Sequence, residues 1–181
     1  MVSDFRKKKL LHVFKSFFDT DGSGNIEQAD FASAIERITS TRGWKAGDEK
    51  YKYVEETLLK IWSGIQEVAD ANKDGQVSQD EWISMWDSFS QNKPFEWQTL
   101  YCKFAFTIED ASNDGSINAE EFSSVFVSFG LDKDEAVSAF QKMAKGKAEV
   151  TWAEFQVLWK EYFSSEDVNA AGNFIFGKTS F

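Results

Sequence analysis

Apolar residues recur along this chain at spacings of three and four, the period of an amphipathic helix, and the runs break where glycine and acidic residues cluster. The segments "FRKKKLLHVFKSFF" (5–18), "YVEETLLKIWSGIQEV" (53–68) and "DEAVSAFQKM" (134–143) carry the pattern. Phe14, Phe17 and Phe18 form one stripe; Leu58, Leu59, Ile61, Trp62 and Ile65 form another. The only proline, Pro94, stands outside these runs. The periodicity predicts an all-α fold of eight helices joined by loops, with almost no strand.

Three of the loops repeat one twelve-residue plan: "DTDGSGNIEQAD" (Asp19 to Asp30), "DANKDGQVSQDE" (Asp70 to Glu81) and "DASNDGSINAEE" (Asp110 to Glu121). Each has oxygen-bearing side chains at positions 1, 3 and 5, Gly at 6, a β-branched residue at 8 and a carboxylate at 12. Between two helices, this is the EF-hand calcium loop. Ca²⁺ takes about 6–8 oxygens at roughly 2.3–2.6 Å, so the chain must coil around it. The ligand set is Asp19, Asp21, Ser23, Asn25 and Asp30 in loop I. In loop II it is Asp70, Asn72, Asp74, Gln76 and Glu81, and in loop III Asp110, Ser112, Asp114, Ser116 and Glu121. Asn25, Gln76 and Ser116 offer backbone carbonyls, and Gly24, Gly75 and Gly115 permit the sharp turn. Three such loops in phase with their helices are not a chance run of solvated carboxylates.

A fourth unit aligns through "VTWAEF", with Val150 at position 8 and Glu154 at position 12. Met143, Lys145 and Lys147 then occupy positions 1, 3 and 5 and Ala148 position 6, so ammonium groups stand where anions are required. The scaffold is kept and the metal lost. Pairing of Ile26 with Val77, and of Ile117 with Val150, implies two lobes of two hands each. The expected division is 1–92 (loops 19–30 and 70–81), 93–164 (loop 110–121 and degenerate loop 143–154) and a tail, 165–181. Phe174, Ile175, Phe176 and Phe181 in that tail, each worth roughly 1.5–3 kcal/mol when buried, predict that it docks back onto a compact body.

Composition narrows the function. The net charge of −10 disfavours nucleic acid and anionic lipid and attracts cations. No run is apolar enough to insert in a membrane, no signal-peptide core opens the chain, and Val2 stands where N-myristoylation needs Gly. The single cysteine, Cys102, excludes an internal disulfide and fits a reducing, cytoplasmic setting. Arg6-Lys7-Lys8-Lys9 reads as the solvated face of a first helix, or else a partner-binding patch; His12, the one histidine, reads as packed or capping.

The three loops should differ. Asp30 is one methylene shorter than the Glu that closes loops II and III, which disfavours a bidentate grip on Ca²⁺ and suits the smaller, octahedral Mg²⁺. Loop I is therefore expected to be a mixed Ca²⁺/Mg²⁺ site. Three Ca²⁺ would move the net charge from −10 to about −4. With only Met1, Met85 and Met143 beside 18 Phe and 7 Trp, the interior suits a closed body better than the flexible Met-rich groove of an opening sensor.

Three live hands and one dead hand resemble the invertebrate sarcoplasmic calcium-binding proteins and, more closely, the calexcitins. Supporting stretches are "SDF" (Ser3–Phe5), "EWQTLYCKFAF" (Glu96–Phe106), "LWKEYF" (Leu158–Phe163) and "AAGNFIFG" (Ala170–Gly177), and the likeness spans essentially the whole chain. Within this group the "RGWKAGDEKY" linker (Arg42–Tyr51) and the GNFIFGK tail look most similar to the insect juvenile hormone diol kinases. That resemblance implies Mg²⁺-dependent phosphoryl transfer from ATP or GTP to the hormone diol. Resemblance to calexcitins implies GTP binding and signalling-protein partners.

One motif bears on that choice. "GNFIFGKT", with Gly172, Gly177, Lys178 and Thr179, satisfies G-x-x-x-x-G-K-[ST], the phosphate-binding loop. A working loop follows a strand and opens a helix. Here the variable positions are bulky and apolar, no strand is expected before Gly172, and Thr179 stands too near the last residue for a helix to follow. The competing reading is a hydrophobic anchor ending in a solvent-facing Lys178. "DTDG" and "NKDG" are by-products of the metal loops.

Overall fold

The computed structural model describes residues 1–89 and 93–181. Among them are eight α-helices: α1 (Asp4–Val13), α2 (Gln28–Arg42), α3 (Glu49–Ala69), α4 (Gln79–Asp87), α5 (Glu96–Glu109), α6 (Ala119–Ser128), α7 (Lys133–Ala144) and α8 (Trp152–Ser164). Four short strands, β1 (Asn25–Ile26), β2 (Val77–Ser78), β3 (Ser116–Asn118) and β4 (Glu149–Thr151), lie in the loops. The architecture is the expected one, helix–loop–helix hands joined in pairs. β1 and β2 run antiparallel with Ile26 opposite Val77, and β3 and β4 with Ile117 opposite Val150. These four side chains are buried, so each pair of loops is closed by an apolar contact as well as by backbone hydrogen bonds.

The chain divides into two units. The first comprises Met1–Val2 and Leu10–Tyr101, the second Ser3–Lys9 and Cys102–Phe181, so both α1 and α5 are shared between units. The expected end of the first lobe, residue 92, lies outside the described residues.

In the first unit α1 runs on into a π-helical turn, Phe14–Phe18, whose wider coil turns Phe14, Phe17 and Phe18 all inward. Phe18 packs on Phe31, Trp82, Trp97 and Tyr101 at ring separations of 5.1–6.3 Å. The fully buried Trp82 indole N–H donates to the Leu10 carbonyl at 3.0 Å, so this donor is satisfied. On α3, Leu58, Ile61, Trp62 and Ile65 are buried as the periodicity requires. Leu59 is 37% exposed, because one residue beyond Leu58 it is rotated by about 100° off the stripe. His12 is half-buried, its Nδ1 3.2 Å from Ser16 Oγ and its ring edge-to-face with Phe17.

In the second unit the tail docks on α8. Phe176 lies 4.6–5.8 Å from the rings of Trp159, Tyr162 and Phe163, and Ile175 is 1% exposed. Phe181 meets Tyr162 and Phe5 edge-on. Phe174 is only half-buried, with the Lys142 ammonium 5.1 Å from its ring. Cys102 is a buried free thiol whose pKa burial pushes up to about 12, so it is inert.

The basic run at the amino end departs from expectation. Lys7 and Lys8 are exposed, but Arg6 is half-buried and Lys9 fully buried. Residues 6 and 9 stand one helical turn apart, on the face that Phe5 shares, and point at the carboxyl end of α8. Arg6 Nη2 donates to the Phe163 carbonyl at 3.0 Å and Lys9 Nζ to the Ser165 carbonyl at 2.9 Å. Lys9 Nζ also donates to Asn173 Oδ1 at 2.9 Å, lies over the rings of Phe5 and Tyr162, and its backbone carbonyl accepts from Tyr162 OH. Two cations thus cap the unpaired carbonyls of a helix end and tie it to the tail.

Burial lowers the Lys9 pKa from its ordinary 10.5 to about 8, with Arg6 adding to the effect. The unfolded chain then holds the extra proton between these two values, so folding stability rises with pH across that window. We expect the unfolding free energy of wild type, referenced to Lys9→Met, to increase between pH 8 and 10.5 in urea titrations; a flat difference would contradict the buried charged strut.

Candidate metal centres

Loops I, II and III are built the same way. The residue at position 1 ends one helix and turns its carboxylate back over the loop, where the position-6 glycine N–H donates to it at 3.0 Å: Gly24 to Asp19, Gly75 to Asp70, Gly115 to Asp110. The side chain at position 5 accepts from the backbone N–H at position 7, as in Asn25 to Ser23, Gln76 to Asp74 and Ser116 to Asp114. Backbone amides therefore pin carboxylates and hydroxyls inward and spread the clustered negative charge.

Two left-handed residues produce the coil. Position 4 has φ of 72° at Gly22, 58° at Lys73 and 59° at Asn113, and position 6 has 90° at Gly24, 85° at Gly75 and 89° at Gly115. The first can be borne by Lys or Asn at some cost; the second is glycine in all three loops.

The position-12 carboxylate sits at N3 of the following helix and divides its two oxygens. Glu81 Oε2 accepts from Ser78 N at 2.9 Å, and Glu121 Oε2 from Asn118 N at 3.1 Å, closing capping boxes at the starts of α4 and α6. The other oxygen turns into the loop, accepting from Asn72 N at 3.4 Å and Ser112 N at 2.9 Å. Asp30 does the same with a shorter arm: Oδ2 accepts from Glu27 N at 2.8 Å and Oδ1 from Thr20 N at 2.9 Å.

Loop I gathers its charge most tightly, with ligand oxygens of Asp19, Asp21 and Asp30 all within 4.8 Å of one another. Asp19 and Asp30 are buried, whereas Asp21 is exposed. Burial raises the Asp30 pKa, while the Ser23 backbone N–H lowers that of Asp21. Oxygen-only donors with three carboxylates suit a hard divalent cation, whose charge would reverse the shift at Asp30. In loops II and III, Asp74 N reaches Asp70 Oδ1 at 3.2 Å and Asp114 N reaches Asp110 Oδ1 at 3.1 Å. Asn72 Nδ2 donates to Asp74 Oδ2 at 2.9 Å, and Ser112 Oγ lies 3.4 Å from Asp110 Oδ1.

Loop IV shows what the plan looks like without its anions. Met143 is buried and has no carboxylate to fold back, and the left-handed residues are Lys145 and Gly146, at positions 3 and 4, with none at position 6. Glu154 still caps α8, its Oε2 accepting from Thr151 N at 3.0 Å. Its other oxygen is taken by the Lys147 ammonium. A tethered cation has replaced the free one. Lys147 lowers the Glu154 pKa to about 2.

Position 9 escaped the reading of loop spacing. Ser78, Asn118 and Thr151 there are the N-caps of the exiting helices, legible in retrospect as S-x-x-E, N-x-x-E and T-x-x-E. In loop I the same position is Glu27, whose carboxylate accepts from Gln76 Nε2 at 3.1 Å and so links loop I to loop II. No spacing rule within one loop could show that contact.

The tail motif has a different environment. A 3₁₀ turn, Ala171–Phe174, takes the place of a strand. The Gly172 N–H donates to a Glu161 carboxylate oxygen, and Thr179 N and Oγ1 donate to Glu135 Oε1 at 3.0 and 3.1 Å. Groups that would hold phosphate already hold carboxylates. The glycines serve packing: a Cβ on Gly172 would meet the Leu158 carbonyl at 2.4 Å, and one on Gly177 would meet the Phe126 ring at 2.8 Å. Lys178, expected in solvent, is half-buried 5.7 Å from the Phe181 ring.

Residues 67–86 and 105–127, which contain the whole of loops II and III, match the family model described as EF hand. Calexcitin-1 of Caenorhabditis elegans is 28% identical across 99% of this chain and 90% of its own length. Sarcoplasmic calcium-binding proteins I, III and IV of Branchiostoma lanceolatum are 33% identical over 86 residues, 48% of this chain and 46% of theirs. The solved structure of a sarcoplasmic calcium-binding protein from amphioxus superposes with a TM-score of 0.79 at 26% identity, covering 98% of this chain and 99% of that one.

The Lys147–Glu154 pair gives a direct check. Because the folded pKa of Glu154 is depressed, the pair stabilises above the ordinary carboxylate range and is lost as pH falls through about 2. Carboxyl NMR should show Glu154 titrating near 2 in wild type and higher in Lys147→Met, where the Thr151 N–H still holds it below the ordinary range; an unchanged titration would show that Lys147 does not fill the site.

Proposed function

We propose that this protein is an EF-hand calcium-binding protein of the calexcitin and sarcoplasmic type, which binds divalent cations at three loops and serves in calcium buffering or calcium signalling. The observation that carries the number is the repeated cage: left-handed residues at positions 4 and 6 and a divided position-12 carboxylate recur at loops I, II and III. Loop IV lacks the second left-handed turn and holds its own ammonium.

Loop I is the Ca²⁺/Mg²⁺ site of this proposal. Asp30 is buried and one methylene shorter than Glu81 and Glu121, and its loop-facing Oδ1 accepts from Thr20 N, Thr20 Oγ1 and Asp21 N, which favours a grip through one oxygen over a bidentate pair. A single-oxygen grip satisfies octahedral Mg²⁺ and under-coordinates Ca²⁺. Loops II and III, closed by Glu81 and Glu121, carry the calcium selectivity.

Calorimetric titration of the metal-free chain should count three Ca²⁺, and millimolar Mg²⁺ should suppress one of them. Asp30→Glu should return that site to calcium. Three sites equally indifferent to Mg²⁺ would refute the assignment, and a fourth site would refute the reading of loop IV.

The likeness to juvenile hormone diol kinases adds phosphoryl transfer as a second reading, with Lys178 at the nucleotide. The sequence motif favours it, while Glu135 and Glu161 oppose it at the motif's own N–H groups. Incubation with Mg²⁺-ATP or Mg²⁺-GTP and hormone diol separates the two. The calcium reading expects no phosphodiol; product lost in Lys178→Ala would establish the kinase and its tail site together.

A further inference from the structure

The degenerate hand leaves a cavity. Between loop IV and α8, in the second unit, lies a half-open space of about 220 Å³ whose walls include Met143, Val150, Val157 and Leu158 and whose edge carries Lys145 and Lys147. Three of the apolar residues are buried, and Val157, 66% exposed, stands at the open edge of the hollow. The metal would have held this side of a live hand together. With Met143 in place of the position-1 aspartate, the carboxylate that folds back over the loop is gone and apolar surface is left facing water.

The charges at the rim are specific. Lys147 is committed to Glu154, which cancels the only carboxylate among the lining residues. Among the described residues Lys145 makes no ion pair, and its backbone is held left-handed at φ 52°, where α7 ends. The rim is therefore net cationic on a chain whose overall charge is −10. The carbonyls at the end of α7 favour a cation there, and that cation is left over for a partner of opposite sign.

Apolar walls, one uncompensated ammonium and this volume together define a ligand class. An apolar cavity of about 150 Å³ holds benzene, while drug-sized ligands need about 300 Å³ or more. A space of 220 Å³ lies between the two and matches a short aliphatic chain. We propose that the fourth hand has exchanged its metal for an amphiphilic ligand, binding a short-chain aliphatic carboxylate with the chain in the cavity and the carboxylate at Lys145. Octanoate is the probe of matching size and charge. This proposal rests on loop IV holding no calcium and is independent of how metal distributes among loops I, II and III.

The test is an amide NMR titration of the full-length, calcium-loaded chain, without excess calcium, using sodium octanoate, octanol and octylamine in parallel. Octanoate should move the resonances of Val150, Val157 and Leu158 saturably at or below millimolar concentration. Octanol should bind more weakly and octylamine not at all. Lys145→Ala, a change at an exposed side chain, should weaken octanoate about fivefold with calcium stoichiometry unchanged. Val157→Asp should abolish binding by placing a carboxylate at the rim. Equal binding of all three probes, shifts mapping away from loop IV and α8, or an unaltered affinity in Lys145→Ala would each overturn the proposal.

Discussion

A carboxylate that must satisfy two demands at once holds each hand of this protein together. At position 12 one oxygen accepts the N-cap amide of the following helix, and the other turns into the loop. The helix start and the loop interior thus share one side chain, and anything that loads the loop is felt at the first turn of the helix. A cation placed in the loop meets a carboxylate whose other oxygen is already anchored, which lowers the ordering that binding requires. The two-residue strands then pass the constraint from loop to loop, through Ile26 on Val77 and Ile117 on Val150. In the first unit, the Gln76 to Glu27 hydrogen bond adds a polar link beside the apolar one.

Loop IV keeps half of this arrangement. Its carboxylate still caps α8 and its strand still pairs with β3, while the other carboxylate oxygen meets a lysine of its own chain. Folding survives because the capping half of the position-12 function is intact. The coil does not survive, because Ala148 cannot take the place of glycine at the second left-handed turn. What remains is an apolar hollow with a cationic rim, in the place where the other hands present oxygen.

The second unit relies on a further device. Arg6 and Lys9 cap the end of α8 while the tail packs its phenylalanines on the same helix. Cations from one end of the chain and rings from the other converge on a single helix. The glycines of the tail motif allow that approach, since side chains at Gly172 or Gly177 would collide with Leu158 and Phe126. In this environment the two glycines of the pattern that resembles a phosphate loop are committed to close packing.

Much of this was legible in the chain alone. Helical period, loop spacing, the pairing of position-8 residues and the docking of an aromatic tail follow from local rules, since each involves neighbours within a turn or a repeat of the same unit. The displaced ammoniums of loop IV were equally visible, since a charge of the wrong sign needs no coordinates to be recognised. Tertiary structure decided what lies between distant residues. It buried Lys9 where helical periodicity suggested solvent, because the oxygens that offset that burial belong to residues 165 and 173. It turned the motif amides onto Glu135 and Glu161, and it opened a cavity behind Met143. Such contacts depend on how helices pack, and packing is a property of surfaces brought together, which no single stretch of sequence contains.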